Sequence, residues 1–219
     1  MTHSKREVLD RLEETGVVAV IRLNDAGALM DVSRALLDGG VTMLEVTMTV
    51  PDAIEMIRAA SKELPKDVVL GAGTVLDAVT ARLAILAGAE FIVGPCTDAG
   101  VMQTCRLYDK AVIPGALTPT EIVTAWKAGA DVVKVFPGTV GTPTYFKDIR
   151  GPLPQIKLMP TGNVDLNTAP EYIRAGAVAV GVGGKLVDAK AVKAGDFAAI
   201  TGNARRFIEV VAEARRTAG

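Results

Sequence analysis

The sequence predicts an α/β protein with a single domain, a (β/α)8 TIM barrel that follows an N-terminal helix. Short apolar runs alternate with longer amphipathic stretches in eight units along the chain. The chain has 219 residues, a length at which α/β barrels commonly form one domain. No linker or change of composition divides residues 1–219, so we expect one domain throughout.

Each unit combines a predicted strand, rich in Val, Ile and Ala, with an amphipathic helical pattern that follows a polar loop. A leading helix is predicted over residues 4–14. The strand and helix ranges of the units are 17–22 and 25–37, 42–46 and 52–63, 68–70 and 77–86, 91–93 and 98–108, 111–113 and 119–127, 132–136 and 144–149, 156–159 and 166–175, and 178–182 with the C-terminal helices.

A glycine motif closes every second helix and opens the strand that follows. It occurs at 38–41, 87–90, 128–131 and 175–178, with its turn glycine at Gly40, Gly88, Gly129 and Gly176. Glycine can take the left-handed conformation that ends a helix. The repeat favours a closed barrel over the alternative, a doubly wound open sheet.

The composition limits the possible partners. Apolar residues make up 49% of the chain and aromatic residues only 4%, which suits close packing of helices on a parallel sheet. A net charge of −1 argues against nucleic acid or an acidic membrane surface as a partner. The polar N-terminus and the lack of a membrane-length apolar run predict a soluble, cytoplasmic protein.

Histidine and cysteine usage limits the possible chemistry. The only histidine is His3, near a terminus, which argues against histidine triads and histidine-ligated metals. The two cysteines, Cys96 and Cys105, form no grouping typical of a metal site. We therefore expect no metal, and proton transfer must depend on carboxylates, lysine or tyrosine.

One lysine interrupts a strand that otherwise looks fully buried. Lys134 lies in the apolar run 132–136. If the alternate residues Val133 and Val135 meet the helices, period-two alternation turns Lys134 inward, and the same argument turns Glu45 of the second predicted strand inward. Arg22, at the end of the first strand, can point the same way. A buried, unpaired ammonium is costly unless its pKa falls and leaves the amine neutral and nucleophilic.

These three charges have two interpretations. In the first, Lys134 is a Schiff-base nucleophile, Glu45 moves protons and Arg22 binds a carboxylate. In the second, Lys134 forms a buried structural ion pair with Glu45 or Asp131, and Arg22 is a solvated charge. The residue types alone leave both interpretations open.

Glycines after the last two strands predict an anion site. Gly162, Gly183 and Gly184 leave backbone N–H groups accessible where phosphate-binding barrels often hold a phosphate, and Lys185 could add a charge. The alternative is plain turn chemistry with a solvated loop lysine.

Taken together, the strand ends resemble the family of 2-keto-3-deoxy-6-phosphogluconate (KDPG) and 2-keto-4-hydroxyglutarate (KHG) aldolases, class I enzymes on a (β/α)8 barrel. The resemblance covers about residues 17–217. It rests on five motifs in the family's order: Val-Ala-Val-Ile-Arg at 18–22, Leu-Glu-Val-Thr at 44–47, Gly-Ala-Gly-Thr-Val at 71–75, Lys-Val-Phe-Pro at 134–137 and Pro-Thr-Gly at 160–162.

The resemblance implies a reversible, metal-free cleavage of a 2-keto acid to pyruvate and an aldehyde such as glyceraldehyde 3-phosphate or glyoxylate. Lys134 would form the imine and Glu45 would be the general acid/base, working partly through water. The imine is the electron sink, so no cofactor is expected. The resemblance also implies that the protein is a homotrimer. The resemblance and the strand-end positions assign substrate contacts to Arg22, Thr47, Thr74, Pro95, Phe136, Thr161, Gly162, Asn163, Gly183, Gly184 and Lys185.

Three departures from the family pattern concern substrate binding. Thr49 stands where many members have an arginine, so the carboxylate role passes to Arg22 as a hypothesis. Asn163 replaces a second glycine and Lys185 a common serine, which puts the distal substrate group in question. The alternative functions are a phosphate-binding isomerase or epimerase without imine chemistry, and a non-catalytic barrel.

Overall fold

The computed structural model describes residues 3–23 and 27–217. Its strands are β1 (Val17–Ile21), β2 (Met43–Thr47), β3 (Val69–Gly73), β4 (Phe91–Val93), β5 (Ala111–Ile113), β6 (Gly115–Ala116), β7 (Val133–Val135), β8 (Leu158–Pro160) and β9 (Val180–Val182). Its helices are α1 (Lys5–Thr15), α2 (Gly27–Asp38), α3 (Ala53–Glu63), α4 (Ala78–Ala87), α5 (Ala99–Leu107), α6 (Pro119–Lys127), α7 (Pro143–Arg150), α8 (Thr168–Arg174), α9 (Ala189–Ala194) and α10 (Phe197–Thr217). Within these ranges, no helix combines the length and apolar character needed to cross a membrane.

The strands form a closed parallel barrel. Strands β1 to β5 pair in chain order, β9 pairs with β1, and β6, β7 and β8 pair with one another. Two contacts complete the circle: the Lys134 N–H donates to the Pro114 carbonyl at 2.9 Å, and Thr161 forms a parallel bridge with Gly181. The predicted (β/α)8 barrel is confirmed, and the open-sheet alternative is wrong.

The fifth predicted strand is divided into β5 and β6. Pro114 lies between them and has no N–H to donate, so the regular ladder stops there. At the other predicted boundaries the shifts are small. Asp25, the predicted start of the second helix, lies outside the described residues, and the described part of that helix begins at Gly27.

The glycine repeat behaves as predicted. Gly40, Gly88, Gly129 and Gly176 have φ angles of 90°, 118°, 95° and 94°, a region that side chains rarely adopt. Each lets a helix end and the chain turn directly into the next strand.

The barrel interior is closed at the end where the strands begin. Val8 and Leu12 of α1 pack with inward-facing residues of the strands, among them Met43 and Phe91. A capping box between Ser4 and Glu7 starts this helix. The opposite end, where the strands finish, is the face on which barrel active sites lie.

Candidate active site

Lys134 of β7 and Glu45 of β2 both point into the barrel. The residues next to them in the sequence, such as Val133 and Val46, point outward and belong to the hydrophobic cluster that packs on the helices. Lys134 is only 4% exposed and Glu45 only 1%. The alternation predicted from the sequence therefore places both charged groups in the interior.

Neither group forms a direct ion pair within the described chain. Both carboxylate oxygens of Glu45 are buried without a hydrogen-bond partner, and the Lys134 Nζ lies 5.1 Å from the centroid of the Phe136 ring. Asp131, the other predicted partner, instead binds Lys5 at 2.8 Å. The interpretation of Lys134 as half of a structural ion pair is wrong.

Burial shifts the pKa of both groups towards the neutral form. Burial raises the pKa of Glu45, and the nearby charges of Lys134 and Arg22 oppose that change only in part. Burial also lowers the pKa of Lys134; Arg22 lowers it further, and Glu45 opposes both. Both shifts favour neutral forms, a free amine that can attack a carbonyl and a carboxylic acid that can donate a proton.

Gly73, at the end of β3, makes room for the Glu45 carboxyl. A Cβ atom at this position would lie 1.8 Å from Glu45 Oε1, so any side chain would displace the carboxyl group. Sequence reasoning noted the glycines of 71–75 but missed this role. The signal that could have found it is a glycine on the inward face of a buried strand beside a strand that carries an acid.

Arg22 lies at the mouth of the barrel rather than in its interior. Its side chain is exposed, yet its charge acts on both Glu45 and Lys134. Its Nη1 would be 3.3 Å from a Cβ on Gly183, so the guanidinium lies beside the predicted anion loop. It can therefore reach an anionic group of a ligand bound above the buried pair.

Thr161, Pro95 and Phe136 follow β8, β4 and β7 at the end of the barrel where the strands finish, and among them Phe136 contacts Lys134. Thr161 is 3% exposed and its hydroxyl has no hydrogen-bond partner, while Gly181 opposite leaves room for that hydroxyl. Pro95 and Phe136 are half-buried and share a cavity of about 340 Å³. An unpartnered buried hydroxyl is costly, which favours a ligand as its partner.

The two other predicted threonines, Thr47 and Thr74, differ in their structural features. The Thr47 side chain is fully buried, and its hydroxyl is 2.8 Å from that of Thr49. Thr74 follows β3 with a φ of 59°, an unusual backbone conformation for a residue other than glycine. Such conformations cluster at functional sites.

The predicted anion loops lie together at the ends of β8 and β9. Gly162 has a φ of 90° and Asn163 a φ of 55°, so the asparagine adopts the conformation that a glycine would take. A Cβ atom on Gly184 would have no atom within 4 Å, so this loop leaves open space at the barrel mouth. Lys185 is exposed, and its charge contributes to lowering the pKa of Asp165, so part of its field is offset.

No metal centre is evident in the part of the chain that the structure describes, where no three His, Cys, Asp or Glu side chains are grouped to hold an ion. His3 lies at the closed end of the barrel, with Nδ1 3.0 Å from Glu90 Oε2. It cannot serve the residues at the open end.

Comparison with known proteins shows extensive similarity to one family. Residues 8–202 match the family model described as KDPG and KHG aldolase. A 2-dehydro-3-deoxy-phosphogluconate aldolase of Treponema pallidum (strain Nichols) is 35% identical over 206 residues, 94% of this chain and 96% of the relative.

Two solved structures share the fold and bear on assembly and chemistry. A cube-shaped, highly porous protein cage, designed by fusing symmetric oligomeric domains, matches with a TM-score of 0.86 and 26% identity, over 93% of this chain and 74% of that chain. A KDPG aldolase from Legionella pneumophila, with pyruvate captured at low pH as a covalent carbinolamine intermediate, matches with a TM-score of 0.84 and 27% identity, over 90% and 96%.

We expect Glu45→Gln to raise the free energy of unfolding by an amount that grows with pH. Because the folded state raises the pKa of Glu45, the native protein loses stability as pH rises from about 4.3, the unfolded value, through the folded value. An amide does not titrate, so the gain should be near zero at pH 4 and about 1–3 kcal/mol at pH 8. Urea unfolding at each pH measures it.

Glu7→Gln is the control with the opposite sign. Hydrogen bonds from Ser4 lower the pKa of Glu7, so its carboxylate stabilises the fold above the unfolded pKa. The stability of Glu7→Gln relative to the native protein should therefore fall as pH rises. A Glu45→Gln curve that runs parallel to the native curve would contradict the buried-charge assignment.

Proposed function

This chain belongs to the KDPG and KHG aldolase family, and we propose that it cleaves its substrate through a Schiff base on Lys134. The substrate is a 2-keto-3-deoxy-6-phospho sugar acid or 2-keto-4-hydroxyglutarate. The products are pyruvate and an aldehyde, glyceraldehyde 3-phosphate or glyoxylate, and the reaction is reversible. The observation that carries this proposal is the buried amine of Lys134, which has no ion-pair partner among residues 3–23 and 27–217 and shares the interior with the unpartnered carboxyl of Glu45.

The proposed steps use only groups of this chain and water. The neutral Lys134 amine attacks C2 of the keto acid. Glu45 in its acid form gives its proton to the carbinolamine hydroxyl, which leaves as water, so that a protonated imine and a Glu45 carboxylate remain. Glu45, directly or through a water molecule, takes the proton of the C4 hydroxyl. The C3–C4 bond then breaks, the aldehyde leaves, and the bonding electrons move into the imine to give an enamine. Protonation at C3 and addition of water release pyruvate and regenerate the amine.

The proposal gives the imine the role of electron sink and needs no metal. The electron pair of the breaking bond moves to the iminium nitrogen, so no Lewis acid has to polarise the carbonyl. The Thr161 hydroxyl and the walls formed by Thr47, Thr74, Pro95 and Phe136 would hold the pyruvyl part. Arg22, at the mouth, would bind a carboxylate of the substrate, as its bidentate fork allows.

Trapping of the imine tests the proposal directly. Borohydride added with pyruvate should leave a stable adduct on Lys134, because reduction converts the imine to an amine. Peptide mass spectrometry locates the adduct. Lys134→Met should abolish it, whereas Lys157→Met, at the closed end of the barrel, should not.

The result that contradicts the proposal is a folded native protein that gives no adduct. Turnover of a sugar phosphate that borohydride does not inhibit would instead favour the isomerase or epimerase alternative.

A phosphate group is proposed to bind the loops of Gly162, Asn163, Gly183 and Gly184, with Lys185 as its cation. The left-handed backbone at Gly162 and Asn163, the open space at Gly184 and the Arg22 guanidinium beside Gly183 support this role. We expect Lys185→Met to lower kcat/KM about tenfold for a phosphorylated keto acid, the loss of one charge-assisted contact. The unphosphorylated analogue should be unaffected, and pyruvate trapping should be normal.

A pyruvate-release assay on both acids, with Lys157→Met as the matched control, measures the change. If the native enzyme shows no preference for the phosphorylated acid, the anion role of these loops is wrong.

A homotrimer is proposed as the working assembly. The similar cage is built from symmetric oligomeric domains, which supports a closed oligomer here. A second support is the α4 stripe, formed by Val79, Leu83 and Leu86 of α4 with Leu76 just before the helix, whose side chains are 47–69% exposed. Soluble proteins usually keep such apolar surface for a partner.

We expect sedimentation equilibrium to give about three times the chain mass of 22.8 kDa for the native protein. Leu83→Glu should lower that mass, because it puts a charge into an apolar contact. Val140→Glu, at an exposed aliphatic residue outside the stripe, should not. A native monomer contradicts the trimer, and an unchanged Leu83→Glu mass contradicts the role of the stripe.

A further inference from the structure

Tyr172 of α8 is a buried tyrosine that contacts the active-site end of the barrel through one peptide group. Its side chain is 2% exposed, and its ring packs edge-on against Phe146 with centroids 5.2 Å apart. Its hydroxyl donates to the Gly138 carbonyl at 2.9 Å. The residue is therefore held firmly at its ring and makes a single polar contact at its tip.

Gly138 is bonded on both sides of its chain. Its N–H donates to the Thr161 carbonyl at 2.9 Å, while its own carbonyl accepts the Tyr172 hydroxyl. A Cβ atom on Gly138 would lie 2.1 Å from the Gly162 carbonyl oxygen, so the two backbones are in close contact. The segment 136–138, which follows β7, is thus hydrogen-bonded through Gly138 both to Thr161 at the end of β8 and to Tyr172 of α8.

Phe136 depends on this segment for its position. It lies two residues before Gly138, and its Cε2 would be 3.5 Å from a Cβ on Gly162. The centroid of the same ring is 5.1 Å from the Lys134 Nζ. The ring therefore occupies one side of the amine and excludes water there.

We propose that Tyr172 is a positioning residue for the imine chemistry: its hydroxyl fixes the Gly138 peptide and so keeps the Phe136 ring beside the Lys134 amine. The inference rests on the function proposed for Lys134. Without the hydroxyl, the Gly138 carbonyl is left buried and unsatisfied, and the segment must move to find a partner.

Movement of the segment 136–138 should change the water exposure of the Lys134 amine more than it changes the other charged groups of the site. Burial is the main cause of the lowered pKa of Lys134, so water that enters beside the amine should raise that pKa. The other charged groups that act on the amine, Glu45 on β2 and Arg22 after β1, are attached to different strands and stay in place.

The test is Tyr172→Phe, which keeps the ring and removes only the hydroxyl. Imine formation with pyruvate is followed by borohydride trapping from about pH 6 to 10. We expect the acid limb of the profile to move about one unit upwards, so that trapping at neutral pH is about tenfold slower and recovers at alkaline pH. Tyr108→Phe, which removes a hydroxyl that accepts from Arg82 on the outer helices, should leave the profile unchanged.

A profile for Tyr172→Phe that overlays the native one, or a rate lowered equally at every pH, overturns the inference. Absence of any adduct in the native protein would instead overturn the function proposed for Lys134, so the two failures are distinguishable.

A label that preserves the hydroxyl provides a second test if Tyr172→Phe does not fold. With 3-fluorotyrosine at position 172, the fluorine resonance should shift when the reduced pyruvate adduct forms on Lys134. The same label at position 108 should not respond. If neither resonance moves, Tyr172 is not coupled to the amine and the inference fails.

Discussion

An amine and a carboxyl group, buried in one apolar interior without direct contact, constrain this barrel. Lys134 and Glu45 each lose water on folding, and neither recovers a hydrogen bond or an ion pair from the described residues in exchange. The free energy of folding must therefore come from elsewhere, chiefly from the aliphatic layer between strands and helices. The same desolvation that weakens the fold at this point gives the amine its reactivity, so stability and function oppose each other at this pair.

The surroundings of the pair are built from small residues and fixed backbone. Gly73 leaves space for the Glu45 carboxyl, and Gly181 does the same for the Thr161 hydroxyl. The Gly138 peptide joins the end of β8 to α8 by two hydrogen bonds, one to the Thr161 carbonyl and one from the Tyr172 hydroxyl. Most of the precision of the site therefore comes from main-chain positions, which side-chain chemistry alone would not reveal.

The sequence predicted what depends on periodicity and on local backbone chemistry. The alternation that turns Lys134 and Glu45 inward and the positive φ angles of the helix-ending glycines are local properties, and both were correct. It could not decide whether the two charges touch, because that depends on the diameter of the barrel and on the side chains between them. The contact from Tyr172 to Gly138 spans 34 residues and depends on how α8 packs, so no local pattern predicts it. Catalytic roles, which geometry alone does not test, stay predictions.

The helix α1 has a consequence for the order of events in the barrel. Since Val8 and Leu12 close the end where the strands begin, everything that reaches Lys134 must pass the mouth beside Arg22. In the proposed reaction, the pyruvyl fragment is tethered to the lysine and the aldehyde fragment lies nearer the exit. The barrel is then a pocket with one opening, in which the aldehyde has to leave before the pyruvyl fragment can follow. Its geometry favours the same order of departure that the covalent bond to Lys134 requires of the pyruvyl fragment.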